Sequence, residues 1–213
     1  MKKVLLAGGT GLVGRGFLDE ARTHDLRIST VGRRATGQVE QEIITDFTGP
    51  LELPPAEVAV CALGTTIAAA GSKAAFRAVD HDAVLAFARA ARNVGVEHFI
   101  SVSAVGADPR SLVFYSRVKG EAESDLVSLG FTRLDILQPG LLLGPREEHR
   151  PVEAFLQHVD PIARLALRGP LDRYAGIPVQ TVSRAILALC AMETPGVHRY
   201  ENRAMRRLSH TVR

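Results

Sequence analysis

The chain opens on an unbroken apolar run, Val4 to Ala7, followed without a linker by Gly8-Gly9-Thr10-Gly11-Leu12-Val13-Gly14 and an amphipathic stretch from Leu12 to Ala21. A short run apolar at every position predicts a parallel strand covered on both faces, and the spacing after it predicts a helix. The same alternation recurs down the chain. Arg27 to Gly32 is β-branched and reads as a second strand, Glu42 to Asp46 as a weak third, and Glu57 to Leu63 as a fourth with an apolar centre. Gly49-Pro50 and Pro54-Pro55 mark the loop between the last two. From Ser72 to Asn93 a stripe through Phe76, Val79, Ala83, Phe87 and Ala91 predicts one long helix, with a serine at its start and Gly95 at its end. His98 to Ala104, Phe114 to Leu129 and Arg133 to Gln138 read as strand, helix and strand, and Pro139-Gly140 breaks the last. Strands alternating with helices predict an α/β fold, a doubly wound parallel sheet that holds ligands beyond its strand carboxyl ends. The glycine loop, Arg33, Thr65, Ser103 and Pro139 all fall on that edge.

Composition narrows this picture. A length of 213 residues with 46% hydrophobic content suits one domain spanning 1–213, with a small substrate region within about 141–180. The net charge of +3 comes from arginines spread along the chain, with lysine only at Lys2, Lys3, Lys73 and Lys119, so no basic arm points to nucleic acid. Cys61 and Cys190 lie in apolar runs, and no signal peptide or spanning segment is evident, which predicts a reducing, cytoplasmic protein with no membrane partner. The seven histidines form no i, i+4 pair and stand near no cysteine pair, so no metal is expected.

The candidate chemistry starts at the glycines. Gly9, Gly11 and Gly14 satisfy G-x-G-x-x-G, and Gly8, Gly11 and Gly14 are three apart, directly between strand and helix. Such a turn brings backbone N–H groups against a pyrophosphate at a helix N-terminus. About 20 positions on, where an acid would accept from a ribose hydroxyl and repel a 2′-phosphate, the chain has Arg33-Arg34. A guanidinium fork suits a phosphate dianion, so NADP is expected over NAD. Asp46 lies where a third strand delivers residues to the adenine, and Gly64-Thr65-Thr66 offers small residues for close cofactor approach. Tyr115 and Lys119 share one helix face at i and i+4. A neighbouring ammonium is expected to lower the phenol from its usual ~10 toward neutrality, making Tyr115 a general acid or base. Ser103, at a strand end, is placed to hydrogen-bond a substrate carbonyl oxygen.

Gly8-x-x-Gly11-x-x-Gly14, Tyr115-x-x-x-Lys119, the strand-end serine and Pro139-Gly140 together resemble the short-chain dehydrogenase/reductase superfamily. Cys61-Ala62-Leu63-Gly64-Thr65-Thr66, Val79-Asp80, His98-Phe99, Gly106-Ala107-Asp108, Val118-Lys119-Gly120-Glu121 and Pro139-Gly140-Leu141-Leu142-Leu143 resemble its atypical branch of Tat-interacting-protein-like oxidoreductases. The resemblance implies an NADP-binding Rossmann domain with Ser103, Tyr115 and Lys119 as catalytic residues. It also implies that Lys119 binds the nicotinamide ribose and that the Pro139-Gly140 turn holds the carboxamide. The cofactor-binding set is then Gly8, Thr10, Gly11, Leu12, Val13, Gly14, Arg33, Arg34, Asp46, Leu63, Gly64, Thr65, Tyr115, Lys119, Pro139, Gly140 and Leu141. Two positions depart from the pattern. Ser103-Ala104 replaces the paired serines of relatives, so Ser103 serves alone or Ser101 substitutes, and Gln138 stands where arginine commonly precedes Pro-Gly. Ile177 to Ala185 resembles the strand and helix entry that closes the family fold, and the loop from Gly144 to Pro151 is charged and stands beside the expected nicotinamide site.

The expectation is an NADP-dependent oxidoreductase acting on a small carbonyl or alcohol, as a monomer or homodimer. Two rivals use the same residues: an NADPH-sensing interaction protein with little turnover, and a sugar-nucleotide epimerase or dehydratase.

Overall fold

A computed structural model describes residues 1–144 and 169–212. Strand β1 (Lys2–Ala7) enters helix α1 (Leu12–Ala21) through the glycine turn, and β2 (Leu26–Gly32), β3 (Gln41–Ile44) and β4 (Val58–Cys61) follow. Two short helices, α2 (Ile67–Ala70) and α3 (Lys73–Arg77), precede a π-helical turn (Ala78–Asp82) that runs into α4 (Ala83–Asn93). Then come β5 (His98–Val102), α5 (Phe114–Ser128), β6 (Arg133–Gln138) and β7 (Leu142–Leu143). A 3-10 turn (Gly169–Tyr174), β8 (Ile177–Pro178), α6 (Val179–Cys190), β9 (Gly196–Glu201) and α7 (Asn202–Ser209) complete the described residues.

The main sheet is parallel throughout, in the order β3-β2-β1-β4-β5-β6-β9. The order reverses between β1 and β4, the switch point where doubly wound sheets hold ligands. Side chains alternate across this sheet and build two cores. Leu5, Ala59, Phe99 and Ile136 pack on one face with Phe87 of α4 and Leu126 of α5. Val4, Leu6, Val60, Ile100 and Leu137 pack on the other with Phe17 of α1, Ile186 of α6 and Met205 of α7. That two-sided burial is why Val4 to Ala7 is apolar at every position. Cys61 and Cys190 are free and buried, one in each core.

The strands start where polar residues pair. Asp135, fully buried, accepts from His98 Nε2 at 2.7 Å and from Arg133 Nε at 2.8 Å. Burial works against its charge, but the hydrogen bonds from His98 and Arg133 more than offset this and hold the carboxyl below its ordinary value.

Two expectations change. The helix anticipated from Ser72 to Asn93 is interrupted by the π-helical turn, which brings Asp80 and His81 inside, at 1% and 7% exposure. Ile177–Pro178 pairs only with Leu142–Leu143, in a separate two-stranded ribbon, instead of closing the main sheet. The closing strand is β9, which pairs with β6. The charged residues 145–151, and much of the 141–180 substrate region, lie outside the described residues.

Candidate active site

Gly8 takes φ +86°, and a Cβ there would stand 2.6 Å from the Ala62 carbonyl oxygen. At Gly14 a Cβ would meet the Gly8 carbonyl oxygen at 2.2 Å. The turn therefore closes directly on α1, and the Gly11 N–H donates to the Gly8 carbonyl at 3.0 Å. Gly11 is the N-cap of α1 and offers no side-chain cap, so the first-turn N–H groups at Leu12 and Val13 are open toward a phosphate. The Val13 side chain itself is buried in the core, so any part it takes in binding is through its backbone.

Beside this turn lies a cavity of about 280 Å³ lined by Gly9, Thr10, Arg15, Arg34, Ala35, Thr36 and Gln38. Arg34 reaches it and Arg33 does not. Arg15 went unweighed from sequence, although a cation directly after the third glycine is a signal in itself. Glu42 of β3 accepts from the Thr36 and Gly37 N–H groups at 2.8 and 2.9 Å. These bonds, led by the Thr36 hydroxyl, hold its carboxyl below the ordinary value, so its charge is spent on shaping the loop that carries Arg34. Asp46 likewise turns inward on its own loop, accepting from the Thr48 N–H at 3.0 Å and its hydroxyl at 2.8 Å.

The second half of the site is on α5. Tyr115 and Lys119 occupy one face as expected, and Tyr115 packs on Phe76 of α3 with ring centroids 5.4 Å apart. Lys119 Nζ lies 2.7 Å from Asp80 Oδ1, an ion-pair contact outside hydrogen-bond alignment, with both side chains buried. The other Asp80 oxygen, Oδ2, accepts from the Thr65 N–H at 2.8 Å. A Cβ on Gly64 would lie 3.4 Å from Asp80 Oδ1 and 3.7 Å from Lys119 Nζ, so the loop of Leu63, Gly64 and Thr65 rests on this pair. Asp80 thus joins the expected cofactor loop to the expected catalytic lysine. Its Val79-Asp80 motif was visible in sequence, but the role was not.

The expected lowering of the Tyr115 phenol does not occur. Burial pushes it up, Lys119 pulls it down, and Asp80 pushes it up again, for a net rise. For Lys119, burial works against the charge, but Asp80 and Tyr115 more than compensate and raise it. Burial lifts the nearby Cys61 thiol to about 12.

Ser103 is turned away from the expected role. Its hydroxyl donates to Glu123 Oε1 at 2.6 Å, and Glu123 also accepts from Gln138 Nε2 at 2.8 Å and Arg199 Nε at 3.2 Å. A serine has one proton to give, and this one goes to Glu123. Ser101 is buried within β5. The Pro139-Gly140 peptide is equally occupied: Pro139 C=O accepts from the Val105 N–H at 3.0 Å, and the Gly140 N–H donates to Asn202 Oδ1 at 3.0 Å. Asn202, fully buried, donates in turn to the carbonyls of Asp172 and Ala175 at 3.0 and 2.8 Å. Leu141 C=O accepts from the Ile177 N–H at 2.8 Å. The turn is therefore held in place by the protein, and its own polar groups are spent on that. Among the described residues, no group of three or more His, Cys, Asp or Glu side chains is placed to hold a metal ion, and no helix is long and apolar enough to cross a membrane.

No protein-family model matches the chain. Solved structures share the fold. MoeE5 in complex with UDP-glucose and NAD superposes with a TM-score of 0.71 at 18% identity, over 98% of this chain and 81% of that one. The human epimerase family protein SDR39U1 with NADPH gives 0.64 at 17% identity, over 93% and 74%. A putative NAD-dependent epimerase/dehydratase from Bacillus halodurans gives 0.69 at 18% identity, over 99% and 100%. Sequence relatives are nearer. Protein HTATIP2 of Rattus norvegicus is 37% identical over 87% of this chain and 80% of its own length. The mitochondrial protein fmp52 of Emericella nidulans is 40% identical over 72% of each chain, and that of Aspergillus fumigatus 36% identical over 82% of this chain and 81% of its own.

These names overturn the expectation of a cytoplasmic protein, since the fmp52 relatives are mitochondrial by name. The reason is physical. Two buried free thiols report conditions that keep thiols reduced, and such conditions do not single out one compartment. The doubly wound sheet is the fold of the solved structures above, and the identities show that the chain belongs to the family of HTATIP2 and fmp52.

Proposed function

We propose that the chain is an NADP-dependent oxidoreductase that moves hydride between a nicotinamide and a carbonyl or alcohol carbon. The observation that carries this reading is the ion pair of Lys119 with Asp80 beneath Gly64 and Thr65, next to Tyr115 on the same helix face. It joins a proton-exchanging group to a loop on the rim that also carries the glycine turn. The residues present suit the cofactor: the glycine turn leaves no room for a Cβ at Gly14, α1 presents uncapped N–H groups, and Arg15 and Arg34 line the adjacent cavity. Two guanidinium groups there suit a 2′-phosphate, which supports NADP over NAD.

Hydride transfer is the chemistry that a bound nicotinamide supplies. Tyr115 gives its proton to the carbonyl oxygen in reduction, or takes one from the alcohol in oxidation. Lys119 stabilises the phenolate that reduction leaves behind. Ser103 acts through Glu123, which fixes the end of β5 against α5. Replacing Tyr115 with Phe and assaying a panel of small carbonyls with NADPH tests the reading, and turnover untouched by loss of the hydroxyl would reject it.

A second reading follows from Ser103. With its proton given to Glu123 and with alanine at position 104, positions 103 and 104 at the end of β5 offer no hydroxyl proton to a substrate oxygen. An NADPH-sensing protein with idle chemistry needs none. That reading requires cofactor binding without turnover and a partner whose capture depends on NADPH. An interactome indifferent to the cofactor counts against it.

A further inference from the structure

The buried face of α5 holds an arrangement that the pairing of tyrosine and lysine does not require. Asp80 is an acid at 1% exposure, carried inward by a π-helical turn and set against the one lysine of the site. The charges can be counted. With Tyr115 protonated, Lys119 and Asp80 cancel and the cluster is neutral. Once the phenol ionises, two negative groups face one ammonium, leaving an uncompensated charge in a site with little access to water. Without the carboxylate the order inverts, because a phenolate beside Lys119 would then be the neutral arrangement. Among the described residues, the other groups facing Tyr115 and Lys119 add no charge: Cys61 on β4 keeps its proton, and Phe76 on α3 is apolar.

We infer that Asp80 is a positioning residue that, through Lys119, keeps Tyr115 protonated near neutrality and sets the site to donate a proton to a carbonyl under reduction. This rests on the oxidoreductase reading and supplies its direction. In the reductive step the C=O π bond breaks and a C–H and an O–H bond form. The hydride comes from a reduced nicotinamide, which is left oxidised, and the proton comes from Tyr115 Oη. The phenolate regains its proton from water. Asp80 leaves the overall equilibrium unchanged and moves the pH at which each direction runs. Reduction proceeds at neutral pH, whereas alcohol oxidation, which starts from the phenolate, accelerates only as the solution becomes alkaline. The carboxylate also holds the Thr65 N–H, so the cofactor loop and the proton donor share one anchor.

The test is ionisation of the three tyrosines of the full chain, followed by NMR of ¹³Cζ-labelled tyrosine without added cofactor. The reference is the ordinary phenol value of ~10. In the unaltered protein Tyr115 is expected to titrate above it. In Asp80→Asn its midpoint is expected to fall by about 1–3 pH units, since that is the range a single adjacent charge commands. The alkaline limb of alcohol oxidation should move down with it. Asp80→Glu, which keeps the charge, should restore the high midpoint. An unmoved or rising Tyr115 midpoint in Asp80→Asn overturns the inference. So does a Tyr115 that titrates at or below the ordinary phenol value of ~10 in the unaltered chain, a measurement that stands even if Asp80→Asn fails to fold. The two readings fail separately: unchanged turnover in Tyr115→Phe removes the oxidoreductase, and an unmoved midpoint removes only the role of Asp80.

Discussion

Asn202 is the side chain that ties down the expected nicotinamide turn, and removing it has a calculable cost. It is fully buried, accepts from the Gly140 N–H, and donates to the carbonyls of Asp172 and Ala175. Asn202→Ala strands one N–H and takes the donor from the Ala175 carbonyl, while the Asp172 carbonyl keeps the Ala175 N–H at 3.0 Å. A stranded buried donor costs about 1–3 kcal/mol and a carbonyl somewhat less, so the loss should be about 2–4 kcal/mol. Against a domain stability of about 5–15 kcal/mol this is large, and it is read directly as a shift of the urea midpoint at unchanged slope. Asn202→Asp refines the test. The carboxylate still accepts from Gly140 but faces two carbonyl oxygens with nothing to donate, so the folded protein favours its protonated form. A carboxyl raised in the folded state contributes stability that is full below its unfolded value and lost as pH rises through the folded one. The Asp variant should therefore lose more stability at neutral pH than under mildly acidic conditions, while the Ala variant shows no such trend. A loss below about 1 kcal/mol for Ala, which is within the reach of an ordinary surface change, would refute the account.

Two further outcomes follow from the same geometry. Arg34→Ala, alone and with Arg15→Ala, should weaken NADPH binding by about 10–100-fold per guanidinium while leaving NADH nearly unaffected, at about 1.5–3 kcal/mol per charge-assisted bond; calorimetric titration of both cofactors checks this, and equal losses would remove the 2′-phosphate assignment. Alkaline pH should destabilise the fold, because burial lifts Cys61 and Cys190 from an ordinary 9.0 to about 12, and Tyr115, Lys119 and Tyr200 are raised as well. The unfolded chain then sheds these protons first, so stability is full below pH 9 and declines toward pH 12, by up to ~1.4 kcal/mol per group per pH unit. A urea midpoint that stays level across that window would contradict it.

The centre of the sheet was legible because its strands are buried on both faces, and Val4 to Ala7 announces that through composition alone. The catalytic environment was harder to read for a geometric reason. The apolar stripe through Phe76, Val79 and Ala83 assumes 3.6 residues per turn, but the π-helical turn widens the spacing, so Asp80 takes the fully buried position and Val79 only a partly buried one. Periodicity cannot see an inserted residue, and so the acid that adds to burial in raising Tyr115 stayed hidden. Strand β9 escaped because it is an edge strand with half of its positions exposed. Helix α7 escaped because two of its three buried positions are the polar Asn202 and Ser209. The fate of the Ser103 proton depends on Glu123, 20 positions away, and no local motif encodes that contact.

The contact between Gly140 and Asn202 also imposes an order in time. The bonds from Thr36 and Gly37 to Glu42 that shape the Arg34 loop lie within the first 45 residues, and the glycine turn beside it rests on Ala62, so both precede the Pro139-Gly140 turn in synthesis. The Gly140 N–H must wait for a partner 62 positions downstream, an interval of about 3–12 s at the ~5–20 residues per second of synthesis. A nascent chain therefore passes through a stage in which the loop that carries Arg34 has been made while the Pro139-Gly140 turn still lacks the side chain that holds it.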